Sequence, residues 1–199
     1  MSNSGRKDGM KDLVVRCVVA LVLLLLACDL LPTGEFEPTG TAFALNLNIS
    51  VVSITGDPDV VGTGPMTIAF KASSRTSSTE SDVLPAGLLF VRRNNQTQHL
   101  LFLKDQTVTA GVATTKTLVG TFCCNKHRAI PDAGDTFDLG PITDDPGLLQ
   151  IVGIVKNKDV SGYADMYVVQ RAVQMVTDST GLTQDYIDSL NALPADTTQ

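Results

Sequence analysis

Tryptophan is absent from this 199-residue chain, which carries only seven Phe and three Tyr. Sugar- and base-binding platforms are built from aromatic faces, so that mode of recognition is not expected. Basic residues are scarce after the first 27 positions. Removing four basic and two acidic residues of that segment from totals of 15 and 21 leaves 11 and 19, a balance of −8. Phosphate binding needs concentrated positive charge, so no nucleic-acid partner is expected. The same balance excludes adhesion to anionic headgroups by charge. Histidine occurs only as His99 and His127. Gly-x-Ser-x-Gly, Ser-x-x-Lys and His-Glu-x-x-His are all missing. A dyad of Cys123 with His99 or His127 is the one hydrolytic arrangement left, and the chain reads as a non-enzyme without cofactor.

Long apolar runs are equally rare, and the one at the start is short. Arg6, Lys7, Lys11 and Arg16 form a basic head before the apolar residues 17–27. Eleven helical residues cover roughly 16 Å, about half a bilayer core. That length suits the apolar region of a secretion signal, and extension is blocked by Arg16 and Asp29. Leu25-Leu26-Ala27-Cys28 resembles the lipobox of bacterial lipoproteins. The resemblance implies loss of residues 1–27, lipid on Cys28, and a place in the cell envelope with the membrane as partner through that lipid. Two alternatives stand beside it: secretion after cleavage near Ala42-Phe43-Ala44, and a membrane span. Leu31-Pro32-Thr33-Gly34 lacks the residue a sortase signal places between Pro and Thr. Residues 28–41 are rich in Pro, Gly, Thr and Glu and read as a tether. Residues 42–199 have the length of one globular domain.

The first half of that domain has strand periodicity. Phe43, Leu45, Leu47, Ile49 and Val51 alternate with small or polar residues. Residues 66–71, 87–93, 97–104, 107–113 and 116–124 read as further strands, with an Asn-rich hairpin turn at 94–96. Residues 73–81 read as a polar surface loop. Asp144-Asp145-Pro146 is a helix start, followed by an apolar stretch to about Lys156. A second helix is expected over about 161–177, and a third after Thr183, ending before Pro194. The expected class is α+β: a β-rich first half, as a small sandwich or barrel, then about three helices.

With Cys28 lipidated, the domain keeps Cys123 and Cys124. Adjacent cysteines seldom bridge each other, so these two are not a staple. They lie in Phe122-Cys123-Cys124, at the end of an apolar strand before the polar Asn125-Lys126-His127-Arg128, with Pro131 and Gly134 beyond. Farther on, Val169-Gln170-Arg171-Ala172-Val173 sets a carboxamide on the apolar side of the second helix, followed by Thr177-Asp178. Together these segments resemble the thioester domains of bacterial surface adhesins. Those pair an aromatic-Cys-aliphatic strand motif with a helical Gln-x-Ala motif. The chain departs from that pattern at Gln174, where an aromatic is usual, and at Cys124, where an aliphatic is. The resemblance implies a bond between the Cys123 sulfur and the Gln170 side-chain carbonyl, and transfer of that acyl group to an amine on a surface protein or other ligand. Lys126, His127 and Arg128 are placed to lower the Cys123 pKa.

The competing readings of the same residues are a plain structural lipoprotein in which Cys123 and Gln170 only pack, and a metal site. The metal site would use Cys123, Cys124 and His127, with Asp132 or Asp135 as a fourth ligand. Its spacing is not a zinc pattern, and neighbouring strand side chains point to opposite faces. The acidic residues 132–145 read as a solvated connection without the regular oxygen spacing of a calcium loop. The sequons at Asn48 and Asn95 carry no meaning in a bacterial lipoprotein.

Overall fold

A computed structural model describes residues 35–197, apart from 60, 62 and 179. The signal segment, Cys28 and the tether up to Gly34 lie outside the described residues. Among the described residues no helix is long and apolar enough to cross a membrane. The compact unit begins at Phe36.

The fold is α+β, as expected. Among the described residues there are nine strands and three helices, in the order β1 (Gly40–Thr41), β2 (Ile49–Asp57), β3 (Met66–Ser74), β4 (Glu80–Leu84), β5 (Leu88–Arg92), β6 (Leu100–Leu101), β7 (Gln106–Ala110), β8 (Thr115–Cys123), β9 (Phe137–Thr143), α1 (Pro146–Val155), α2 (Tyr163–Thr177) and α3 (Gln184–Asn191). Seven strands form an antiparallel sheet in the order β1-β9-β5-β6-β8-β3-β2, and β4 pairs with β7. The sheet curls into a half-barrel. Its two flanks touch where Thr55 bridges Thr136 and the Gly56 N–H donates to the Asp135 carbonyl at 3.0 Å.

Apolar runs of adjacent residues, rather than alternation, mark the central strands. A sheet buried on both faces needs this composition. Leu88, Phe90, Leu100, Phe102 and Cys123 join the core inside the curl. Their neighbours Leu89, Leu101, Leu103, Phe122 and Cys124 join a second core on the opposite face, completed by Leu148, Ile151 and Val155 of α1 and Val169, Ala172 and Val173 of α2. The period of two thus sorts each run between two cores.

Helix α1 starts where the Asp-Pro signal lies. Asp145 Oδ1 accepts from the N–H groups of Gly147 at 2.8 Å and Leu148 at 2.9 Å, satisfying two donors that a helix start leaves open. The cap on α3 is weaker: Thr183 makes no side-chain bond there.

Several expectations are corrected. Residues 42–48 alternate but do not pair, and the strand begins only at Ile49, whose N–H closes a turn on the Asn46 carbonyl at 2.9 Å. Part of the polar loop is strand β4. The acidic connection contains β9, where Phe137 is buried and Pro141 lies in the strand. Phe36–Thr41, read as tether, is part of the compact unit: Gly40 and Thr41 pair with Thr143 and Ile142. A Cβ on Gly40 would fall 1.9 Å from the Ile142 carbonyl oxygen, and its φ is +144°, so only glycine fits there.

Candidate functional site

The two candidate residues, Cys123 and Gln170, meet at a sheet edge. Strand β3 starts at Met66, opposite Thr121, and leaves the edge of β8 beyond that point uncovered. Successive residues of a strand send their N–H and C=O groups to opposite edges. Cys124 donates to the His99 carbonyl at 2.9 Å on the β6 side, so Cys123 presents its backbone groups to the edge that β3 has vacated. Gln170, from α2, fills it. The Cys123 N–H donates to Gln170 Oε1 at 2.8 Å, and Gln170 Nε2 donates to the Cys123 carbonyl at 2.8 Å. The carboxamide carbon is therefore held against the residue that bears the thiol.

The docking continues along both segments. The Asn125 N–H donates to Thr177 Oγ1 at 3.4 Å, and Lys126 Nζ lies 3.1 Å from Asp178 Oδ2. So Thr177-Asp178 at the end of α2 meets the turn that follows the cysteines. Asn125 makes that turn possible. It is buried, and its φ of 69° is the left-handed conformation that asparagine tolerates better than most residues. Its Nδ2 donates to the Phe36 carbonyl at 3.1 Å, which fastens the start of the compact unit beside the cysteines. Neither Asn125 nor Phe36 is singled out in the sequence. The available signal was an Asn directly after an apolar strand.

The thiols occupy two environments. Cys123 is 5 % exposed and packs inside the curl; burial pushes its pKa up to about 12. Cys124 is fully buried on the helix side; burial first, then Cys123 and Asp178, raise its pKa well above the ordinary value. The expected lowering by neighbouring cations is not found. Lys126 is turned to Asp178, His127 is exposed, and desolvation dominates. The thiols also point to opposite faces of β8, so Cys123, Cys124 and His127 are not gathered. Among the described residues no group of three His, Cys, Asp or Glu is arranged to hold a metal. His99 is buried, and its Nδ1 accepts the Arg92 N–H at 3.3 Å. Asp132 and Asp135 close their own turn: the Asp132 N–H donates to Asp135 Oδ2 at 2.9 Å, and the Gly134 N–H to Asp132 Oδ1 at 2.7 Å.

No family profile, curated protein or solved structure matches this chain. Function must therefore be argued from the site itself.

Proposed function

We propose that this chain is a lipid-anchored binding module of the cell envelope whose folded unit forms an internal thioester between Cys123 and Gln170. The observation that carries the reading is the pair of 2.8 Å hydrogen bonds between the Gln170 carboxamide and the Cys123 backbone. Two residues 47 apart, chosen for a reaction with each other, lie in contact. The Cys123 N–H points at the oxygen on which negative charge develops when sulfur attacks the carbonyl carbon. The step balances simply. A sulfur–carbon bond forms, the carbon–nitrogen bond of Gln170 breaks, and the thiol proton leaves with the nitrogen as ammonia. A thiol with so high a pKa reacts only as that proton moves to the departing nitrogen. Burial that opposes thiolate formation also keeps water from the finished bond. A primary amine then attacks the carbonyl carbon, an amide forms at residue 170, and Cys123 regains its proton. The acceptor in this reading is an amine on a surface protein or another envelope molecule.

A second reading also has an observation behind it. Both ends of the carboxamide are satisfied, so Gln170 would serve equally as a one-residue extension of β3 in a purely structural module. Intact mass separates the two. Thioester formation removes ammonia, so the mature chain is expected about 17 Da light, without a Cys123 thiol to alkylate. A full mass, with Cys123 alkylated after denaturation, leaves the structural module.

A further inference from the structure

The site is fastened to the first residue of the compact unit. Phe36 packs against the helix-side core, and its carbonyl accepts from Asn125 Nδ2 at 3.1 Å. Asn125 is two residues past Cys123, at most about 7 Å of chain. Cys28 precedes Phe36 by eight residues, which at full stretch reach no more than about 29 Å. The path from the lipidated cysteine to the Gln170 carbonyl is then roughly 50 Å at most. A segment this short holds the domain at the bilayer surface whatever its conformation. The chain's negative balance offers no other hold on an anionic leaflet.

Tethering over such a distance sets effective concentrations in the millimolar range or above for any amine in the headgroup layer. An amine on a soluble partner has no such advantage. We propose that the acyl acceptor is a primary amine of the membrane itself, an aminolipid headgroup. This proposal rests on the thioester and lipid-anchor reading above. The headgroup nitrogen, uncharged when it attacks, bonds to the Gln170 carbonyl carbon. The carbon–sulfur bond breaks, and Cys123 takes up the proton the nitrogen releases. The product carries a second lipid, through an amide at residue 170. A second point of attachment, at residue 170, would pin the domain face to the bilayer.

The test uses the full lipidated protein extracted from membranes, with intact mass taken first to establish lipid on Cys28 and the ammonia deficit. It is then reconstituted into vesicles of phosphatidylethanolamine and phosphatidylglycerol, or of phosphatidylcholine and phosphatidylglycerol. Cadaverine serves as a soluble amine in a third arm. The expected result is a mass gain of one phosphatidylethanolamine, mapped to Gln170, with one new thiol at Cys123 and no adduct on choline lipid. Inserting a roughly 40-residue Gly-Ser segment after Gly34 should slow the reaction roughly tenfold. A deficit that persists in both vesicles overturns the lipid acceptor. If cadaverine discharges that same protein, the thioester stands and its acceptor is a protein or other soluble amine. Equal loss of the deficit in both vesicles without an adduct makes water the acceptor and also overturns the proposal. A starting mass with no deficit, or no lipid on Cys28, removes the reading beneath it.

Discussion

Gln170 shows how one side chain can matter twice. Its carboxamide covers a backbone N–H and C=O that β3 does not reach, and each is costly to leave unpaired. If the structural role dominates, Gln170→Ala should lower stability by about 2–4 kcal/mol in urea unfolding, because both Cys123 backbone groups lose partners. Gln170→Glu discriminates further. Its oxygen still accepts from Cys123, but the donor to the Cys123 carbonyl is gone, and the negative charge of a carboxylate makes its carbon a poor target for sulfur. That variant should show full mass and a free but sluggish thiol. With burial holding its pKa near 12 against an ordinary value of 9.0, a Cys123 left unbonded, as in this variant, should alkylate roughly a thousandfold more slowly in the folded protein than in denatured protein near pH 8. Rapid native alkylation would show that burial does not govern this thiol. The pairing of Cys123 with Gln170 was legible because a cysteine ending an apolar strand and a glutamine inside an apolar helix face are each unusual. Asn125 was not, since its importance lies in a φ angle and a contact to Phe36, 89 residues away.

Among the elements, composition was most readable where the physics is local. The Asp145-Pro146 start of α1 is such a case. Asp145→Ala should cost about 1 kcal/mol in thermal or urea unfolding, and Asp145→Asn much less. The adjacent apolar runs of β5, β6 and β8 were likewise legible as strands. Their assignment to two cores needs the sheet. Strand β9 was hidden by Gly140, Pro141 and its acidic neighbours, which read as connection; pairing with β5 overrides those local signals. The reverse happened over residues 42–48, where regular alternation met no partner strand. Across β3, Lys116 Nζ lies 2.6 Å from Asp57 Oδ2, and this hydrogen bond holds the Asp57 carboxyl below its ordinary value of 3.8. A lowered folded-state pKa contributes stability that is present above the unfolded value and is lost as pH falls through the folded one. Acid unfolding followed by circular dichroism should therefore be less steep below about pH 4 in Lys116→Met than in the parent chain.

For the whole molecule, a half-barrel and a helical layer share one sheet, and the candidate pair lies at the edge where α2 replaces a missing strand. The α+β class follows from the order of periodicities along the chain, but the closeness of two residues 47 apart depends on how α2 folds back over β8. Anchoring through Cys28 predicts that the protein partitions with membranes. A Cys28→Ser variant should appear in the soluble fraction of the envelope or medium; retention of that variant in membranes would contradict the anchor. The most direct measurement is peptide mapping of the mature chain, digested at mildly acidic pH without reducing agent. An internal thioester predicts a linked species that joins the Cys123 and Gln170 peptides, lighter than their sum by one ammonia. Finding the two peptides separate, with Gln170 an intact amide and Cys123 open to alkylation, would contradict it.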